Sequence, residues 1–455
     1  MSPLTRGCRV VARGTRSWLV LVVCALAPAL APPGQASEPL VAAGEPQLVN
    51  LSSAEEVTDR PVYLSSMNGT GRYVVFETSA TNMHGPDISY GGLYLRDRRT
   101  GRTLIPVRDR HGRPPERGAV TGALSPSGRY LAYCSTDPQI VKPDSYDEYT
   151  VEPPGEHPDT DVFVRDLRTG ETRRLSTAWN GKESDEASCQ PKVADNGDAV
   201  FGSSASDLVR HDSNGIGYDV FLYDWSTKRL HRLPELFGGW VHVTISGDGR
   251  FVVGLSPKGL VKADRNSLAD VYLLHRRRDG SPGRYELVSQ RAAGGGLELG
   301  CDAGPIDVSH DGRYVVGSCR DGDLFDPPIP DKSSHLTLFD RKTGRHTLLN
   351  PTDADPSGVT SAAVSDDGRT VFYGSSSTGY GGTTPEVGPD VYVWRRGDGI
   401  TLVSAGDDVA YRWWGQFVDL TGDGRLGLFE SDSELAPDAT PGFFDQNVYT
   451  VRLGQ

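Results

Sequence analysis

The sequence predicts an all-β fold: a seven-bladed β-propeller of four-stranded blades, its ring closed by the N-terminal strand in the last blade. Three observations predict it. One phrase recurs seven times: an apolar residue, a small polar residue, a turn with glycine and usually arginine, then an apolar run. A β-branched and aromatic run follows each phrase, and the last unit lacks a fourth run while the chain carries one to spare before the first.

The phrases are MNGTGRYVVF (67–76), LSPSGRYLAY (124–133), VADNGDAVF (193–201), ISGDGRFVVG (245–254), VSHDGRYVVG (308–317), VSDDGRTVFYG (364–374) and LTGDGRLGLF (420–429). Their turn glycines, Gly71, Gly128, Gly197, Gly249, Gly312, Gly368 and Gly424, recur every 52 to 69 residues, enough for four short strands and their loops. Glycine accepts the positive φ that a tight turn needs, so each phrase is a hairpin joining first strand to second. Third strands follow, as in GLYLRD (92–97), DVFVRD (161–166), DVFLYD (219–224), DVYLLH (270–275) and DVYVWR (390–395). They are apolar on both faces, as strands sandwiched between blades must be. Fourth strands read Arg174-Leu175-Ser176, Leu287-Val288-Ser289, Leu348-Leu349-Asn350 and Leu402-Val403-Ser404. After the third strand of the seventh unit only Leu453, Gly454 and Gln455 remain, whereas Gln47 to Ser52 repeats the fourth-strand phrase. Pairing that segment into the last blade would remove an exposed edge.

The S-x-D-G-R turn with the D-V-[FY]-[LV] strand resembles the TolB-like, or WD40-like PD40, propeller repeats of bacterial exported proteins. The resemblance covers nearly all of residues 37–455. It implies the architecture and leaves the activity open, because this fold hosts scaffolds, peptidase lids and lyases alike.

Residues 1–36 read as a secretory signal: Arg6, Arg9, Arg13 and Arg16, then the apolar run from Trp18 to Leu26, with cleavage expected after Ala31 or Ala36. A membrane anchor needs about 20 apolar residues, so no transmembrane segment is expected after cleavage. The formal net charge is −13, and losing the leader makes it more negative. So acidic a surface repels phosphate backbones, which excludes nucleic acid as a partner. The protein is expected to be secreted and monomeric.

Four cysteines remain outside the leader, and no C-x-x-C pair suggests zinc. Cys301 falls on the first strand of blade 5 and Cys319 at the end of its second, about three positions out of register. Cys134 ends the second strand of blade 2 and Cys189 opens the first strand of blade 3. The expected bonds are Cys134 to Cys189 and Cys301 to Cys319.

The long insertions join second to third strands and share a face with the segments entering each first strand. The longest, Ser135 to Thr160, carries Tyr146 and Tyr149; it reads equally as a solvated loop. Trp179, Trp240, Tyr411, Trp413 and Trp414 enter first strands on that face and suit a sugar ring or a protein surface, or wedge between blades. Asp212, Asn214 and Asp219, and again Asp264, Asn266 and Asp270, alternate oxygen ligands as a Ca²⁺ loop would, although Asx-turn capping explains them too. No other cofactor is expected. No G-x-S-x-G, H-E-x-x-H or G-x-x-x-x-G-K-[ST] motif is present. The expected function is non-enzymatic binding of a protein or glycan partner through the insertion face. The alternative is a glycan-active lyase or hydrolase built at the axis from Lys192, His242, Asp307 and Asp419.

Overall fold

The computed structural model divides the chain into two units, Met1–Glu38 and Pro39–Gln455. It describes residues 44–83, 92–141, 160–212, 217–233, 236, 243–292, 294, 299–301, 304–329, 334–350, 358–376, 390–404, 418–431, 435–436, 439 and 446–454. The leader read at residues 1–36 lies outside them. The second unit contains seven antiparallel four-stranded sheets, each taking its strands in chain order except the last. This is the seven-bladed propeller. Among the described residues no helix is long and apolar enough to cross a membrane.

Blade 1 comprises Val62–Met67, Tyr73–Thr78, Gly92–Asp97 and Arg102–Leu104, and blade 2 Val120–Leu124, Tyr130–Ser135, Asp161–Asp166 and Thr172–Arg174. Blade 3 comprises Ser188–Val193, Ala199–Ser203, Asp219–Asp224 and Arg229–Arg232, and blade 4 Val243–Ile245, Phe251–Ser256, Asp270–Arg276 and Pro282–Leu287. Blade 5 comprises Asp307–Val308, Tyr314–Cys319, His335–Asp340 and Arg345–Leu348, and blade 6 Val359–Val364, Thr370–Ser375, Asp390–Arg395 and Gly399–Leu402. Blade 7 has Val418–Leu420, Leu426–Ser431 and Asn447–Arg452, and its outer strand is Gln47–Leu48, paired antiparallel with Thr450 and Tyr449. Asn50 strengthens the closure: its amide donates to Asn447 at 3.0 Å, and its carbonyl oxygen accepts from the Val448 amide at 3.0 Å.

Each residue type of the repeated phrase has a job. All seven turn glycines have φ between 63° and 86°. The small polar residue accepts the amide hydrogen bond of the residue five positions on, as Ser309 does from Tyr314 and Ser365 from Thr370, both at 3.0 Å. The same hydroxyl donates to the turn aspartate, Asp311 or Asp367. The arginine after glycine pairs with the aspartate ending the third strand: Arg72 with Asp97 at 2.7 Å, Arg129 with Asp166 at 2.7 Å, Arg313 with Asp340 at 2.9 Å. Its guanidinium also lies 4.6 to 4.8 Å from the ring centroid of the next residue, Tyr73, Tyr130 or Tyr314. The aspartate opening the third strand accepts from the serine ending the fourth, as Asp270 does from Ser289 at 2.7 Å and Asp390 from Ser404 at 3.0 Å.

The core lies between blades. Tyr130, Ala132, Val162 and Val164 of blade 2 pack with Phe201, Phe221 and Tyr223 of blade 3, and comparable buried clusters fill the other interfaces. Within blades, aromatic residues pair across the middle strands: Tyr133 with Phe163, Phe201 with Phe221, Tyr373 with Tyr392 and Phe429 with Tyr449, their ring centroids 5.4 to 5.6 Å apart.

Disulfides join Cys134 to Cys189 and Cys301 to Cys319. The first ties blade 2 to blade 3. For the second, the expectation that Cys301 lies on the inner strand of blade 5 needs correction: that strand is only Asp307–Val308, and Cys301 meets Cys319 as an isolated bridge. Pro305, which lacks an amide hydrogen to give to the ladder, stands between Cys301 and the strand.

Candidate functional site: the axial bore and its open face

The inner strands begin at the insertion face and end at the tight turns, so the turns crowd the axis at one end. There hydrogen bonds run through all seven blades. The Gly69 amide donates to Pro126 O at 2.8 Å, Ser127 to the Asp195 carboxylate at 2.6 Å, and Asp195 to Gly247 O at 2.9 Å. Asp248 donates to His310 O at 3.0 Å, His310 to the Asp366 carboxylate at 3.0 Å, Asp366 to Gly422 O at 2.8 Å, and Gly422 to Gly69 O at 3.0 Å. The circuit returns to its start. His310 Nε2 of blade 5 also meets Asp195 of blade 3 at 3.0 Å, and Pro126 and His310 together leave no room for a Cβ at Gly247. Contacts between blades that are not neighbours are possible only across the axis. The tight-turn end of the bore is therefore narrowed by His310, Asp195 and Pro126.

Farther up, Lys192, Asp307 and Asp419 occupy equivalent inner-strand positions, as the sequence placed them. Both carboxylates are committed to the next blade: Asp307 Oδ2 accepts from the Val364 amide at 2.9 Å, and Asp419 Oδ2 from the Met67 amide at 2.8 Å. Removal from bulk water pushes Asp307 up to about 6, with the Asp419 charge adding to the rise and Lys192 opposing it. Asp419 is raised as well, again by desolvation, with Lys192 opposing. His242, the remaining member of the axial set, lies outside the described residues.

Nearer the mouth, the inner strands of blades 1, 2 and 3 are bulged, and each bulge holds a residue other than glycine at positive φ: Leu64 at 50°, Thr121 at 53° and Gln190 at 60°. In each case the penultimate residue of the preceding blade's second strand pins the bulge. Glu430 accepts from the Ser65 amide at 2.7 Å and its hydroxyl at 2.8 Å, Glu77 accepts from the Thr121 amide at 3.2 Å, and Cys134 is bonded to Cys189. Burial pushes Glu430 up to about 7, with the neighbouring Glu77 charge contributing, and burial pushes Glu77 up to about 6. The corresponding residue of blade 3 is Gly202, and the Tyr218 ring lies over it so closely that no Cβ would fit. Tyr218 Oη is 3.5 Å from Gln190 Oε1.

Among the described residues three aromatic side chains stay exposed at this face: Trp179 at 50%, Tyr63 at 47% and Tyr218 at 37%. The Arg210 guanidinium lies 4.7 Å from a Trp179 ring centroid, and the Trp179 amide donates to Asp207 O at 2.9 Å, which fixes its segment against the blade 3 insertion. Of these exposed aromatics the sequence had singled out Trp179, and not Tyr63 or Tyr218. A glycine inside a strand marks close approach by another group, and Gly202 was the available signal for Tyr218. Trp240, Tyr411, Trp413, Trp414, Tyr146 and Tyr149 lie outside the described residues.

In the two calcium-like loops the described side chains Asp212, Asp219, Asp264, Asn266 and Asp270 each bond to protein groups. Asp212 and Asp219 both close on Arg232, at 3.0 and 2.8 Å. Their loop partner Asn214 lies outside the described residues. Asp264 accepts from the Tyr272 hydroxyl and, at 3.1 Å, from the Asn266 amide, which is the Asx turn. Asn266 donates its side-chain amide to Asp270 at 3.1 Å, and burial pushes Asp270 up to about 6. Among the described residues no group of three or more His, Cys, Asp or Glu is set to hold a metal.

No family model matches this sequence, and no curated protein matches it. Solved structures do. The β-propeller domain of the Trilobed protease from Pyrococcus furiosus, which has an open velcro topology, is 12% identical, with a TM-score of 0.48 over 87% of this chain and 98% of that one. TolB from Acinetobacter baumannii is 16% identical, with a TM-score of 0.37 over 78% of this chain and 66% of that one. Porphyromonas gingivalis dipeptidyl peptidase 4 is 14% identical, with a TM-score of 0.43 over 85% of this chain and half of that one. This chain is similar to them as a propeller, and its blade count and closure stand on its own strand pairing.

Proposed function

We propose that this is an exported, non-enzymatic propeller that binds a protein or glycan partner at its insertion face. The observation that supports it best is the asymmetry of the two faces: hydrogen bonds through all seven blades tie the tight turns to one another, while Trp179, Tyr63 and Tyr218 stay exposed at the other end. Large, stiff aromatic faces with a polar tip suit a sugar ring or a protein surface at low entropic cost. The disulfides favour an oxidising compartment, which agrees with reading residues 1–36 as a leader, 37–455 as the propeller, and the protein as secreted.

The second reading, a glycan-active lyase or hydrolase, draws on the raised Asp307 and Asp419 beside Lys192. Against it, both carboxylates already accept backbone amides of the next blade, so moving either would loosen an inter-blade contact. A glycan array and capture from the native extracellular fraction test the two together. The binding reading expects retention without cleavage, weakened about tenfold or more by joint alanine substitution of Trp179, Tyr63 and Tyr218 in a protein that still folds. Cleavage of a polysaccharide, abolished by His242→Ala, would establish the enzyme instead.

A further inference from the structure

The opposite side of the molecule carries a cleft that the binding reading does not use. It lies between blades 1 and 2 towards the tight turns, with a volume of about 620 Å³. That is the size of a site for a small organic molecule. Leu95, Leu104, Ile105, Pro106 and Leu167 make its apolar lining, and Leu104 is 43% exposed.

Five arginines and one aspartate supply the charged part of the lining, in a chain whose net charge is −13. Two of its charged groups are neutralised locally: Arg129 by Asp166 at 2.7 Å, and Asp97 by Arg72 at 2.7 Å. Four more guanidiniums, those of Arg102, Arg108, Arg165 and Arg168, line the same cleft, and among the described residues none of them forms an ion pair. Arg165 donates only to Gly170 O at 2.9 Å and Thr172 Oγ1 at 2.8 Å, and Arg108 only to Val107 O at 3.1 Å. Burial lowers the Arg165 pKa, Tyr133 partly offsets this, and the neighbouring Arg108 charge lowers it further, so these two cations repel each other. Among the described residues some arginines elsewhere are ion-paired, whereas others, such as Arg98 beside Arg96 and Arg452, are not. Arg276 is held by Asp198 and Asp224, and Arg341 by Glu286.

We propose that the blade 1–blade 2 cleft binds a small organic anion, a carboxylate or phosphate group joined to an apolar body. The planar guanidinium forks of Arg108 and Arg165, flanked by Arg102 and Arg168, supply paired donors for a head group with two or more oxygens. The aliphatic lining takes the apolar body. An acidic protein has carboxylates to spare for pairing, so a cluster left without them next to a cavity is arranged for an anion from outside.

Isothermal titration calorimetry of the full chain tests this with phenyl phosphate, benzoate, inorganic phosphate and the neutral benzyl alcohol. The proposal expects saturable binding of phenyl phosphate or benzoate, weakened by salt, with the tighter of the two identifying the head group. Inorganic phosphate should bind about tenfold more weakly for want of the apolar body, and benzyl alcohol should give no saturable heat. Arg108→Gln with Arg168→Gln should weaken binding about tenfold while leaving the melting temperature unchanged, because neither residue forms an ion pair. Absence of saturable binding by both organic anions, equal binding of benzyl alcohol, or undiminished affinity in the double variant would overturn it.

Discussion

Glu430 shows how one side chain can serve the ring and leave a record in its pH dependence. Its carboxyl is buried, receives the Ser65 amide and hydroxyl, and is pushed up to about 7 by desolvation. A raised carboxyl binds its proton more tightly in the folded protein than in the unfolded chain. Its contribution to stability is therefore fully present below the unfolded value of 4.5 and is lost as pH rises through 7. Glutamine keeps the accepting oxygen and abolishes the titration. Glu430→Gln should match the parent near pH 4 and exceed its stability by about 1–3 kcal/mol at pH 8. Chemical denaturation at the two pH values measures it, and a variant less stable than the parent at pH 8 would show that the ionised carboxylate is what holds the bulge. At this scale the turn chemistry was legible in the sequence: Gly312, Arg313 and Tyr314 announce a hairpin, and the structure adds that the arginine pairs with Asp340 and lies over Tyr314. Glu430 and Glu77 were not legible, because their role depends on a strand of the neighbouring blade.

At the scale of the strand, the ring closes with few residues. Gln47–Leu48 makes two paired positions with the last blade, and the Asn50 side chain and the Val49 amide bond to Val448 beyond them. Deleting residues 37–52 would bare the Asn447–Arg452 edge and leave Asn447 and Val448 short of partners. Aggregation or a fall in melting temperature of about 5 °C or more is expected, and size-exclusion chromatography with thermal denaturation checks it. This element was readable because a missing strand at one end of the repeat matched a surplus at the other. The bulges were hidden for the opposite reason. Their positive φ values fall on Leu64, Thr121 and Gln190, residue types that carry no turn signal, and the neighbouring blade imposes the conformation. The disulfide between Cys134 and Cys189 was readable although it pins a similar bulge, because cysteine announces its own chemistry.

The whole molecule has two unlike faces, and their difference follows from topology. Seven tight turns converge and bond to one another, whereas the segments between them on the other face are long and of unequal length. The sequence revealed the second property through insertion length. It could not reveal the first, since the circuit from Gly69 to Gly422 passes through glycine, proline, serine, aspartate and histidine with no fixed pattern, some through backbone carbonyls and others through the Asp195 and Asp366 carboxylates. The asymmetry makes the central claim, recognition at the insertion face, directly measurable. Amide hydrogen exchange should be recorded on the full chain with and without the glycan or protein that the array or capture yields. Binding is predicted to protect peptides spanning residues 179–190 and 203–219, around Trp179 and Tyr218, and to leave the turns at residues 125–129, 246–250 and 309–313 unchanged. Protection confined to those turns would contradict the account.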